Sequence, residues 1–446
     1  MTNLANELGT EKISKLLIKQ AVPASIGILV MSLNMIVDTI FVGQWIGVLA
    51  IASVTVVLPI VFLISSLGMG IGIGGSSIIS RALGAKEFDK AFLTFGNQIS
   101  MTLALSVFFV IVGTFFCTPL LDLFGANGDI LAPATEYFNV VLYGVPFLAF
   151  AMMGNPVIRA EGKPMYAMIA MILPAISNII LDIVFIKLLG WGMFGAGLAT
   201  SISYAVCGLF IFGFFLSKKS ELTIYPKYFK WSFPIVKEIV QLGGVTVVRQ
   251  GTISVLMIVL NATLFTYGGE SAIAVYGIIN RVMMFALFPV LGVTQGFLPI
   301  AGYNYGAKDS KRVKETIKTA ILYGTGVATL IFIGIIIFPT EISSVFTKDA
   351  DLIEKTPTAL LYAFLATPVI TTQLVGAAYF QAAGKAMPAL ILTLLKQGIF
   401  LIPLVFIMPK FFGLNGVWFS FPIADVLSTL VTVIFLKREV DKKLSF

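Results

Sequence analysis

Histidine is absent from the 446 residues, and cysteine occurs only as Cys117 and Cys207. Without histidine, the Ser-His and Cys-His nucleophile arrangements and most zinc sites are excluded. Two cysteines inside apolar stretches supply neither a disulfide framework nor a thiolate metal site. Charge is scarce as well. Asp, Glu, Lys and Arg make up 12% of the chain, against about 25% in a soluble domain. A soluble fold could not cover its surface with so little charge.

What is present is hydrocarbon. The chain is 58% hydrophobic, with a mean hydropathy of +0.98. Thr39 to Ser80 runs 42 residues without a charge, and Ala91 to Leu121 runs 31. A membrane helix needs only about 20 apolar residues. Barrel strands would alternate polar and apolar over about ten residues, whereas these runs are continuous. The opening MTNLANELGTEKISK is polar and lacks the shape of a signal peptide, so the first membrane helix is expected to stay attached. Charge and turn residues divide the chain into twelve helices, near 15–43, 48–80, 91–117, 132–158, 165–189, 194–216, 237–266, 271–303, 314–338, 354–381, 388–410 and 415–436. The second and eighth are long enough to require tilt or a bend.

The net charge of +8 has a membrane explanation rather than a nucleic-acid one. Of 30 Lys and Arg, 23 fall in the two termini and alternate loops, and four (Lys187, Lys348, Lys355, Lys410) in the opposite loops. By the positive-inside rule both termini are cytoplasmic. The expected location is the cytoplasmic membrane of a prokaryote.

The chain repeats itself. RAEGKPMYAM at 159–168 returns as QAAGKAMPAL at 381–390, an offset of 222. The same offset pairs Gly47 with Gly269, Gly70 with Gly292, Gly74 with Gly296, Pro146 with Pro368, and Gly84-Ala85-Lys86 with Gly306-Ala307-Lys308. One deletion brings Gly192 and Gly195 onto Gly413 and Gly416. The fold expected is therefore an all-α integral membrane protein, with twelve transmembrane helices in two pseudo-symmetric six-helix bundles. Residues 1–216 form the first lobe, 217–236 a basic and aromatic linker, and 237–446 the second lobe. Even-numbered halves share one orientation, which suits a substrate path and a transporter. The doubled Gly-Lys turn reads as a structural helix stop.

One motif misleads. Gly70, Gly72 and Gly75 match G-x-G-x-x-G, yet no strand precedes them and no soluble βαβ unit follows. Close helix packing in lipid explains them better. No Walker A pattern occurs.

Charged groups inside membrane helices mark function. Asp38 lies roughly 8 Å from the outer end of its helix, Asp182 roughly 10 Å and Thr200 roughly 9 Å by helix rise. Asn178 stands one turn from Asp182, and Asn34 one turn from Asp38. Pro174 frees the carbonyl of Ala170. Two carboxylates, an amide oxygen and a hydroxyl make a hard-oxygen site that suits Na⁺ or H⁺, with no other cofactor needed. The bland alternative is two acids hydrogen-bonded between helices. The second half instead holds Arg249, Arg281, Lys396 and Asp425. A structural ion pair or triad is one reading, and contact with an acidic substrate group or support of a conformational switch is the other. Gln250 and Gln295 are further polar groups of that half.

The motifs VDTIFVGQ (37–44), SRALGAKEFDKA (80–91), LFGANGDIL (123–131), GNPVIRAEGKP (154–164), SNIILDIVF (177–185), GAGLATSIS (195–203) and YGIINRVMMFALFPVLGVTQGFLPIAGYNYGAK (276–308) carry a resemblance over essentially the whole chain. It resembles the MATE family (multidrug and toxic compound extrusion) of the MOP superfamily, in its MepA-like and DinF-like branches. The resemblance implies a cation-coupled antiporter that exports amphipathic organic compounds by alternating access. It implies no enzymatic activity. Partners would be a small organic substrate and the bilayer, with no nucleic acid, and the protein would be a monomer. Some members bind a cation at positions matching Asp38, Asn178, Asp182 and Thr200, and Pro23 matches a proline associated with bending of the first helix. Where NorM-like members carry acids in the second lobe, this chain has Gln250 and Gln373. Two other readings stay open: a lipid or lipid-linked precursor flippase, and a non-transporting scaffold.

Overall fold

A computed structural model describes residues 3–442. The first six membrane helices are α1 Ile13–Trp45, α2 Val48–Gly84, α3 Phe88–Phe115, α4 Leu131–Ala160, α5 Pro164–Asp182 and α6 Gly192–Leu216. The segment Phe233–Ala286 then reads as one helix interrupted at Gly269, whose φ of 64° reverses the chain. It therefore supplies α7 (233–268) and the start of α8. Helix α8 is broken again before Phe288–Gly306, the bend expected of that long segment. The rest are α9 Ser310–Ile337, α10 from Ala350–Phe364 and Thr367–Ala382 bent by 46°, α11 Ala386–Leu394 with its continuation to Phe412, and α12 Leu414–Lys442. Taken this way, the described residues form twelve spans.

By compactness the described residues form two units, 3–7 with 26–246 and 8–25 with 247–442. The sequence reading placed the division at the linker, 217–236. The compact units instead divide inside α1 and α7, because the start of each helix packs with the opposite half's residues. In the first unit, the core joins Val57, Ile64, Phe138, Leu148 and Ala196 of α2, α4 and α6. In the second, Ile279, Phe364 and Phe421 of α8, α10 and α12 do the same. Within the second unit, Arg312 ties down residues 8–11, donating to the carbonyls of Leu8 at 3.1 Å and Glu11 at 2.8 Å.

The repeat is visible in the backbone. Gly162 and Gly384 take φ of 78° and 77°, and Lys86 and Lys308 take 61° and 57°. Only glycine adopts the left-handed region freely. The same stop, with the next amide turned back into the last helical turn, closes α4 and α10. The glycine run of α2 serves packing. A Cβ on Gly72 would lie 2.7 Å from the Met153 carbonyl of α4, and one on Gly74 only 2.3 Å from that of Ile239 on α7.

The linker is laid along the first unit. Asn97 donates to the carbonyl of Lys230 and accepts from the amide of Ser232. Glu161, in the repeated turn, is fully buried. Its oxygens accept from the Ser220 hydroxyl at 2.9 and 3.1 Å and from the amides of Glu221 and Leu222 at 3.1 and 3.3 Å. Burial pushes the Glu161 carboxyl up to about 7, although these hydrogen bonds pull the other way. The docked linker thus holds a proton that an undocked Glu161 would release between about 4.5 and 7. By linkage, docking weakens as pH rises through that window. Proteinase K nicking near Ser220, normalised to Glu161→Gln, is expected to rise from pH 5 to pH 8. Glu161→Ala, which removes all four bonds, should nick about ten times faster at any pH. Equal nicking of wild type and Glu161→Gln across that range would discard the titration.

Candidate functional site

The acids predicted to share a depth come together in the first unit. Asp38 of α1 and Asp182 of α5 lie within hydrogen-bond reach of each other. Asp182 is completely buried, and neither of its oxygens meets a donor. Two carboxylates in contact without a donor repel unless a proton or a cation lies between them. One turn along, Asn34 Nδ2 donates to Asn178 Oδ1 at 3.2 Å, so α1 and α5 meet in two successive rungs. Asn34 Oδ1 is itself buried without a donor. The layer therefore has more acceptors than donors, the chemistry that a cation satisfies.

Thr200 of α6 approaches the layer by way of a residue that sequence reasoning missed. Its Oγ1 donates to the carbonyl of its own Ala196 at 3.0 Å and lies 3.5 Å from the Tyr137 hydroxyl of α4. Tyr137 and Tyr204 both lie close enough to Asp38 to interact with its charge. Tyr204 stands one turn beyond Thr200 on the same face of α6, a spacing visible in the sequence. Tyr137 gave no signal, since an aromatic in an apolar helix reads as core. Among the described residues no three acids, cysteines or histidines cluster as metal ligands. The oxygens that this layer offers are those of Asp38, Asp182 and Asn178, with the Thr200 hydroxyl reached through Tyr137.

The helix changes form at this point. Asp182 is the last α-helical residue of α5, and Ile183–Leu188 is a π-helix. A π turn leaves carbonyls out of the i−4 ladder and recurs at functional positions. Pro174 behaves as its chemistry requires. The Ala170 carbonyl that it frees accepts from Cys207 Sγ at 2.9 Å, so that thiol is a packing group. Pro23 lies inside an uninterrupted α1, in the stretch belonging to the second unit.

In the second unit, Lys396 Nζ lies 2.6 Å from Asp425 Oδ1. Arg281 is not part of this pair and is exposed. Gln250 is exposed and Gln295 half-buried. Gln373 is committed to structure, donating to the carbonyl of Leu392 at 2.8 Å.

One family model, MatE, matches the chain twice, over residues 23–184 and 246–407. The chain belongs to the MatE family. The two matches are the two halves of the internal repeat, and together they cover most of the sequence. MatE proteins are membrane transporters, and this chain is a multi-pass member. The multidrug export protein MepA of Staphylococcus saprophyticus is 31% identical over 95% of this chain and 94% of its own. MepA of Staphylococcus aureus is 30% identical over 94% and 93%. A solved outward-facing multidrug resistance MATE transporter of the MOP superfamily superposes with a TM-score of 0.93 at 27% identity, covering 99% of this chain and 98% of that one. A Pyrococcus furiosus MOP-superfamily transporter, described as having a binding pocket of reverse polarity, superposes at 0.92 and 27%, with 99% and 98% covered.

Proposed function

We propose that this protein exports amphipathic organic compounds, drugs among them, by antiport against inward Na⁺ or H⁺, with alternating access. It would act as a monomer in the cytoplasmic membrane of a prokaryote, with both termini in the cytoplasm. One observation carries the coupling: Asp38 and Asp182 touch in a layer with no donor for Asp182. A coupling ion must bind and leave in every cycle. Two acids held together, with the Asn178 oxygen and Thr200 hydroxyl nearby, bind a cation and resist staying empty. Binding neutralises the layer, and release restores the repulsion. That difference is what an ion needs in order to bias one conformation over another. The basic loops support the orientation, and the names of the MepA relatives support the substrate class.

The test is flux of ethidium from proteoliposomes, under an imposed Na⁺ gradient and separately under a pH gradient. Export driven by one gradient identifies the ion. Equal rates with and without either gradient would remove the antiport reading.

A further inference from the structure

Charge in the membrane-spanning part of the second unit is unbalanced, and its contacts place the imbalance. The Tyr276 hydroxyl of α8 donates to Met257 Sδ of α7 at 3.2 Å. These two stretches run in opposite directions about Gly269. Arg281 and Thr252 each lie five residues from that contact toward the lysine-rich end, roughly 8 Å along their helices. Arg249 is one turn from Thr252 on the same face. Thr252 Cγ2 lies 3.4 Å from where a Cβ on Gly398 would stand. Gly398 belongs to the π-helical stretch Leu395–Leu401 that carries Lys396. Lys396 in turn pairs with Asp425 of α12. Three cations and one carboxylate thus share a layer about one or two turns deep.

Asp425 is taken by Lys396. Among the described residues, Arg249 and Arg281 have neither an ion pair nor a side-chain hydrogen bond. Arginine does not shed its proton. An unpaired guanidinium facing hydrocarbon is costly, so intramembrane arginines face water or an anion. Arg281 is exposed at this depth, and the cost of a guanidinium in hydrocarbon makes water or an anion its expected neighbour.

We propose that Arg249 and Arg281 form an anion subsite, which takes the carboxylate, sulfonate or phosphate of an amphipathic molecule. This rests on the reading of the chain as an exporter of amphipathic molecules, and it adds amphiphiles that carry an acidic group to that substrate class. The apolar body of the ligand would lie against residues such as Met257 and Met284. A guanidinium offers paired donors to a planar or tetrahedral oxyanion, and the second arginine adds its positive charge at the same depth.

The experiment compares two probes that differ only in the acid. Rhodamine B carries a free carboxylate, and its ethyl ester does not. Each is titrated by fluorescence anisotropy into the detergent-solubilised full chain, with no ion gradient present. Arg249→Gln and Arg281→Gln should each weaken the acid about tenfold and move the ester less than twofold. Arg281→Lys, which keeps the charge, should retain most of the acid's affinity. Both Gln variants remove an uncompensated charge, so folding should survive, and unchanged ester binding verifies it. Equal shifts for acid and ester, or an acid indifferent to both arginines, would overturn the subsite. Phosphatidylglycerol that displaces the acid from wild type, where phosphatidylcholine does not, would support the subsite and make a lipid phosphate its source. No displacement by either lipid, with the arginine dependence intact, would make the exported molecule's own acid the source. Because no gradient is used, failure of ion-driven export would not touch this result.

Discussion

An Asp182→Asn variant is expected to fold and insert as wild type does, and to lose gradient-driven export by on the order of 100-fold. The geometry sets both halves of that expectation. Asp182 is fully buried, it lies against the Asp38 carboxyl, and neither of its oxygens meets a donor among the described residues. An asparagine there has nearly the same volume, and its amide can donate to Asp38. The mutant layer thus gains the donor that the native one lacks, and stability should hold or rise. What it loses is the second carboxylate, and with it the capacity to bind a cation strongly and release it. Asp38→Asn should do the same from the α1 side. The double variant should be no worse than either single one, because two members of one site act as a unit. The measurements are ethidium flux in proteoliposomes and thermal aggregation midpoints of the purified variants. Wild-type flux in either single variant would sink the assignment of the coupling site.

The site was legible in the sequence to the extent that polar groups stand out in hydrocarbon. Asp38, Asp182, Asn34 and Asn178 could be placed by counting turns, since an ionisable group in an apolar run has few bland explanations. Helix periodicity puts each Asn on the same face as its Asp, and the fold brings those two faces together. The repeat was legible for a different reason. Left-handed turns at Gly162 and Gly384 favour glycine, and both positions carry it. Three features were not legible. Tyr137 is one aromatic among many. The π turn after Asp182 leaves no compositional mark, because it alters hydrogen-bond register without requiring a residue type. Glu161 sits in the doubled Gly-Lys turn, which the sequence marks only as a helix stop. Its burial depends on a linker 59 residues further on, and only the folded chain brings Ser220 to it. The reading of the second half was half resolved. The sequence left Arg249, Arg281 and Lys396 all open as partners of Asp425, whereas the contact is made by Lys396. Rise along a helix gives depth but not rotation, and rotation decides which cation reaches the acid.

That pairing makes Asp425 the second position where a single substitution should have a large effect. Asp425 and Lys396 are 4% and 16% exposed, and they meet at 2.6 Å. Asp425→Asn leaves the Lys396 charge without its counter-ion, in a layer that already holds Arg249 and Arg281. Breaking such a pair costs about 3–5 kcal/mol, mostly for the charge left alone. Lys396→Met should cost a similar amount by stranding the carboxylate instead. The double change Lys396→Met with Asp425→Leu removes both charges and fills the space with hydrocarbon, so it should recover most of the loss. A double-mutant cycle of denaturation midpoints in detergent reads the coupling directly. A cycle that is additive within error would mean that the pair contributes nothing and that Lys396 is solvated in both variants. The same cycle bears on the anion subsite. If the Asp425 charge merely balances Lys396, removing both leaves Arg249 and Arg281 as they were, and the double variant should bind rhodamine B like wild type. Removing Asp425 alone adds an uncompensated cation to the layer, and the acid should then bind more tightly while its ester does not.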